Sequence, residues 1–235
     1  MTDHGFDAAV ALLDIPDVRN FRDASCGRLR PGLLYRSAAL SGLTAEGARR
    51  LRALGIRTVV DLRTHAELAT APDLHHDLGH RYLHVPLLPD RLDAENPWPS
   101  DQFAVYRLMA EVGGAAVAAT VRALASGGGP VLVHCAVGKD RTGLTVAVLQ
   151  HLGGLDLDEI TADYLRSNPG LGLDAGPVPY LDEFGEQHLA HPAVADRLHT
   201  ALDRIHQLHG SIEDYLAAHG VPRDELDRVR ALLTA

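Results

Sequence analysis

An α/β fold is what this chain predicts, on three observations. Short β-branched or aliphatic runs at Ile56–Leu62, Tyr82–Leu88 and Val131–Val133 are separated by stretches whose apolar residues recur at the helical period. Turn signals stand at the joins, notably Gly55 and the run Gly127-Gly128-Gly129-Pro130. The 235 residues, 46% of them hydrophobic, are enough for a single domain, residues 1–235, with a sizeable core and an appended helical piece.

Taken in order, residues 7–13 predict a short helical turn, and Pro16 leads into the charged run Asp17 to Asp23, where Arg22 and Asp23 read equally as a local ion pair organising a hairpin or as residues with a direct role. Thr44 caps a helix that Gly55 ends. The Ile56–Leu62 strand closes in Asp61-Leu62-Arg63, read as part of a salt bridge inside the fold. After Tyr82–Leu88 comes a proline-broken acidic loop from Pro89 to Asp101. From Asp101, Val105, Leu108, Met109, Val112, Ala116 and Ala119 form one helical face, with a kink at Gly113-Gly114. Asp156 starts a helix through Arg166, residues 168–179 are a Gly/Pro-rich connection, and helices are expected at about 180–189, 192–209, 211–219 and 222–233. Histidines 199, 206 and 209 read as solvated helix positions, and no metal site is expected.

The stretch that carries chemistry is Val131-Leu132-Val133-His134-Cys135-Ala136-Val137-Gly138-Lys139-Asp140-Arg141-Thr142-Gly143. A buried strand runs into a sharp loop and then into the apolar helix Gly143–Leu152. Such a loop turns backbone N–H groups inward and opens on a helix N-terminus, an arrangement suited to a dianion. Cys135 within it, beside Arg141 and Lys139, is expected as a thiolate and hence as a nucleophile. Arg141 brings a planar fork that takes two phosphoryl oxygens at once. Ala136, Val137, Gly138, Lys139, Asp140 and Arg141 are the expected phosphate cradle, His134 braces it, and Thr142 offers a hydroxyl to the departing sulfur. A nucleotide-binding loop is excluded, because Val133 and Asp140 stand where it needs glycine and serine or threonine.

His-Cys-x5-Arg-Thr-Gly resembles the signature loop of the cysteine-dependent protein tyrosine and dual-specificity phosphatases. The fuller His-Cys-Ala-Val-Gly-Lys-Asp-Arg-Thr-Gly is similar to the bacterial branch that includes a secreted mycobacterial enzyme. Asn20-Phe21-Arg22-Asp23, Leu34-Tyr35-Arg36-Ser37 and Asp61-Leu62-Arg63 with Glu67 resemble the same family. The resemblance implies a cysteine phosphatase fold, with a central, mostly parallel sheet flanked by helices, extra C-terminal helices, and a candidate helical lid within about 168–210. It implies no cofactor and turnover through a cysteinyl-phosphate. It also puts the general acid at Asp140, with Asp90, Asp93 and Asp101 of the upstream loop as alternates; Trp98-Pro99-Ser100-Asp101 is out of register with the Trp-Pro-Asp loop of the wider superfamily. Basic residues at the position of Lys139 go with phosphoinositides as well as phosphotyrosine as substrates.

Two rival functions share the loop chemistry, a sulfurtransferase and a phosphate-binding module without turnover; the Arg-Thr-Gly ending and the presence of Cys135 speak against them. A net charge of −9 argues against nucleic-acid binding. The only cysteines are Cys26 and Cys135, Cys26 being read as an inert thiol ahead of a disulfide partner. With neither a leader nor a long apolar run, a cytoplasmic location is expected, with leaderless export compatible with the bacterial resemblance.

Overall fold

The computed structural model describes residues 15–91, 98–182 and 184–234. The expected turn at 7–13 and Asp93 lie outside these residues. Five strands, β1 (Arg22–Asp23), β2 (Leu34–Ser37), β3 (Thr58–Asp61), β4 (Arg81–His84) and β5 (Val131–His134), form one sheet in the order β1-β2-β5-β3-β4. Only β1 is antiparallel to its neighbour. The strand before the reactive loop is thus central, held on both sides by parallel partners and buried along its whole length.

Alternation along β5 divides the core. Val131 and Val133 face the larger apolar cluster, whereas Leu132, with Tyr35 and Val59 beside it, faces a smaller one around Leu43 and Leu51. The smaller face is covered by α1 (Ala45–Ala53), which Thr44 caps as expected. After α2 (His65–Thr70), the larger face takes α3 (Gln102–Val112), α4 (Gly114–Ala125), α5 (Asp140–Leu152) and α6 (Leu157–Leu165). Beyond α7 (Ser167–Leu171), α8 (Ala195–His209), α9 (Ile212–Ala218) and α10 (Arg223–Thr234) add the extra C-terminal layer. Among the described residues no single helix is long and apolar enough to cross a membrane; α3 and α4 reach that composition only as a pair bent by 60°.

Two expectations fail for physical reasons. The segment 180–189 is no helix: β6 (Val178–Leu181) and β7 (Gln187–Ala190) pair as an antiparallel hairpin. Its burial alternates along β6, Gly185 takes a left-handed turn, and Asp182 Oδ1 accepts from the N–H groups of Phe184 and Glu186. The kink expected at Gly113-Gly114 is present as a 60° bend, but it breaks the face expected from Val105 to Ala119, and Val112 is exposed. Along α8, Leu198, Ala201, Leu202 and Ile205 are buried as the period requires, and Leu208 is not.

A third correction concerns Arg22, which pairs across the fold and not with Asp23. Its Nε donates to Asp163 Oδ1 of α6 at 3.0 Å, and Arg36 Nη1 donates to Asp163 Oδ2 at 2.8 Å. All three side chains are almost wholly buried. Asp23 instead receives the N–H groups of Ser25 and Gly32, closing the turn before β2. Burial acts to raise the Asp163 pKa, and the two guanidinium groups overcome it and hold the carboxyl below the usual range. Removing one partner of a buried ion set leaves uncompensated charge, so Asp163→Ala should cost about 3–5 kcal/mol in urea-denaturation stability; a loss under about 1 kcal/mol would contradict this account.

Candidate active site

The loop between β5 and α5 is fixed from behind through its carbonyls. Ala136 O accepts from Ala39 N at 3.1 Å, and Gly138 O accepts from Asn20 Nδ2 at 2.8 Å and Arg36 Nη2 at 3.1 Å. Val137 O and Lys139 O take longer bonds from the same two side chains. A trans peptide sets its N–H opposite to its C=O. The N–H groups of Val137, Gly138, Lys139 and Asp140 therefore point to the other side, where the cavity lies. Gly138 permits the turn with φ +68°, and a Cβ there would stand 2.1 Å from Ser37 O. Helix α5 then begins at Asp140 with no side-chain cap, so its first N–H groups stay open.

Cys135 is buried, at the end of β5. Beside it His134 sits between two carboxylates, with Nε2 3.0 Å from Asp73 Oδ2 and Nδ1 3.8 Å from Asp61 Oδ1. Burial works to lower its pKa, and Asp61 with Asp73 carries it up, favouring imidazolium. Arg63 completes this network by pairing with both aspartates at 2.7 and 2.8 Å. The resemblance to Asp-Leu-Arg thus lands on a charge cluster behind His134.

Arg141 is held end-on by Glu67, with Nη1 to Oε2 at 2.5 Å and Nη2 to Oε1 at 2.7 Å. Burial opposes both charges, and each is kept ionised by the other, Glu67 below its usual range and Arg141 above. Glu67 can do this because it is also locked in place: its carboxylate receives Thr64 N, in a capping box that starts α2. End-on pairing uses one hydrogen on each Nη, leaving Nε–H and outer N–H groups for a second anion. Asp140 Oδ1 accepts from the Tyr106 hydroxyl, which in turn meets the Tyr164 hydroxyl at 2.5 Å. Lys139 is no solvated lysine: it is 3% exposed, and its Nζ donates to His191 O at 2.5 Å.

A cavity of about 620 Å³ opens over this loop. Ala136, Val137, Lys139, Asp140 and Arg141 form its base, and Trp98, Tyr180 and His188 stand among its walls. The hairpin β6–β7, where a helix was expected, thus borders the site, and α8, which packs against α3, adds Arg197 to the lining. Thr142 Oγ1 is buried and makes no hydrogen bond. Of the alternate acids, Asp101 caps α3 through Ala104 N and is largely exposed, and Asp90 accepts from Ala66 N at the start of α2. Cys26 and Cys135 are both free thiols, and burial pushes Cys26 up to about 12. Sequence reasoning marked Asn20 without its role and missed Tyr106, Tyr164, Asp163 and Tyr180. Asn20 reaches the loop, Tyr106 reaches Asp140, Tyr164 reaches Tyr106 and Asp163 reaches the Arg braces through contacts more than thirty residues apart, which local pattern cannot register.

The family model described as the tyrosine phosphatase family matches residues 13–235. The triple specificity protein phosphatase PtpB of Mycobacterium tuberculosis is 31% identical over 95% of this chain and 99% of its own. A tyrosine-protein phosphatase of Nostoc commune is 29% identical over 84% of this chain and 73% of its own. Among solved structures, P. aeruginosa TpbA in complex with phosphotyrosine matches in fold with a TM-score of 0.50 at 19% identity, covering 92% of this chain and 99% of that one. Neither a sulfurtransferase nor a silent binding module is favoured by these relationships. The chain belongs to the tyrosine phosphatase family and is a cysteine-dependent protein tyrosine phosphatase.

Proposed function

We propose that this chain, acting as one catalytic domain over residues 1–235, hydrolyses phosphotyrosine in proteins through a phosphorylated Cys135. The observation that carries the reading is the set of loop N–H groups turned away from the Asn20 and Arg36 braces, with Arg141 beside them. A phosphoryl dianion seated there is bound by Val137 to Asp140 N–H and by the free edge of Arg141. Cys135 Sγ attacks phosphorus in line, the P–S bond forms, and the bond to the tyrosyl oxygen breaks. Asp140 gives that oxygen its proton. As carboxylate it then takes a proton from the water that cleaves the P–S bond, and inorganic phosphate leaves. Arg141 and the amides carry the charge, and the residues present call for no cofactor.

Aromatic walls favour an aryl phosphate. The Trp98 ring lies 5.9 Å from the Arg141 guanidinium carbon, and Tyr180 lines the same cavity. The relative from M. tuberculosis is named for triple specificity, and phosphoserine or phosphothreonine follows for this chain as the second protein substrate class. Phosphoinositides rank third, because the ammonium of Lys139 is already engaged by the His191 carbonyl. A reducing compartment such as the cytoplasm suits a nucleophilic thiol.

Cys135→Ser should reduce hydrolysis of a phosphotyrosine peptide by about 10³-fold or more, while mass spectrometry of acid-quenched wild-type protein finds a phosphoryl adduct on Cys135. Undiminished turnover without the sulfur would refute the mechanism. Asp140→Asn should slow release of poor leaving groups by about 10²–10⁴-fold and spare activated aryl phosphates; if the loss follows Asp90→Asn or Asp101→Asn instead, the acid lies in the upstream loop. Glu67→Gln keeps shape but halves the clamp on Arg141, and should lower kcat/KM by about tenfold or more; an unchanged value would show that Arg141 needs no such hold.

A further inference from the structure

Next to the main cavity lies a recess of about 410 Å³ that shares Ala136 and Tyr180 with it, so the two meet at the reactive loop. Four charged side chains line the recess, and three are already balanced. Arg63 pairs with Asp61 and Asp73, Glu67 pairs with Arg141, and Asp182 pairs with Arg91 and His188. The fourth, Arg19, is exposed and makes no hydrogen bond or ion pair with any described residue. The recess therefore presents one uncompensated positive charge.

Arg19 is also fixed in relation to the loop. Its carbonyl accepts from Ala38 N, and the next residue, Asn20, holds Gly138 O and Val137 O through its side chain. The main-chain N–H of Asn20 donates to Gly170 O, so the backbone on both sides of the guanidinium stem is pinned. Ala39, Ala71, Pro179 and Leu181 supply apolar walls. One cation among apolar walls matches an aliphatic side chain that ends in an anion, whereas a compact polyphosphate would ask for several free cations.

We propose that this recess is an anion subsite, with Arg19 as its cation, that binds a carboxylate or second phosphoryl group borne on the same peptide as the phosphotyrosine. The proposal rests on the tyrosine phosphatase reading and adds a sequence preference to it. Strand β6, whose residues Pro179 to Leu181 run along the recess, gives an extended peptide a wall to follow. Arg19 acts on recognition alone, since the chemistry uses Cys135, Asp140 and Arg141.

The test uses equilibrium binding to the full-length Cys135→Ser protein, which needs no turnover. Three fluorescent phosphotyrosine peptides are compared, flanked by alanine, by glutamate or by phosphoserine. At low salt the two acidic peptides should bind about tenfold tighter than the alanine peptide, an advantage that fades as ionic strength rises. In the Arg19→Ala background the three should agree within about twofold, and Arg19→Glu should reverse their order. Binding of phenyl phosphate, and hydrolysis of it by protein with Cys135 intact, should be unchanged by Arg19→Ala. Equal affinities with Arg19 present, or an acidic advantage that survives Arg19→Ala, would overturn the subsite. A soluble inositol bisphosphate losing as much affinity as the acidic peptides would overturn its assignment to peptides. Failure of every phosphotyrosine peptide and of phenyl phosphate to bind or be hydrolysed would instead overturn the enzyme reading beneath it.

Discussion

A loop that turns its amides toward an anion must turn its carbonyls the other way, into the protein. Those carbonyls enter a dry interior and need donors there, because an unpaired buried acceptor costs about 1–3 kcal/mol. Asn20 and Arg36 provide them, and their own placement comes from Arg22 and Asp163. The anion site is thus the visible half of an arrangement whose other half is a buried cluster of two arginines, an asparagine and an aspartate. Without that cluster the amides have no reason to point where they do.

The same logic governs charge. Among the buried ionic side chains described, each positive group has a carboxylate: Arg22 and Arg36 share Asp163, Arg63 takes Asp61 and Asp73, Arg141 takes Glu67, and Lys139 lies 3.6 Å from Asp140. His134 is drawn into the second of these sets. Glu67 links two scales, since one carboxylate both begins helix α2 and orients Arg141. A site built this way is preorganised before any substrate arrives, and the work of ordering it is done by folding.

The strand, loop and helix around Cys135 were legible because they are local. Apolar residues sit before the loop, glycines at Gly138 and Gly143 meet backbone or ring atoms that a Cβ would strike, and a buried helix follows. Motif resemblance also pointed to Asn20, Arg22 and Arg36, yet it could not say what they hold; the local pairing of Arg22 with Asp23 gave way to a partner 141 residues away. The stretch 180–189 misled because its composition suits either helix or strand, and Gly185 with the Asp182 turn decided for a hairpin. Lys139 was placed in the loop by the motif, but its burial and its tie to the His191 carbonyl come from a segment 52 residues on, which local pattern does not carry.

That tie from Lys139 to the carbonyl of His191 joins the floor of the cavity to the end of the hairpin. In this arrangement the ammonium is shared between that carbonyl and the carboxylate of Asp140, 3.6 Å away. One buried ammonium is accordingly common to the cavity wall and to the acid of the reaction, so that a change at Lys139 reaches both together.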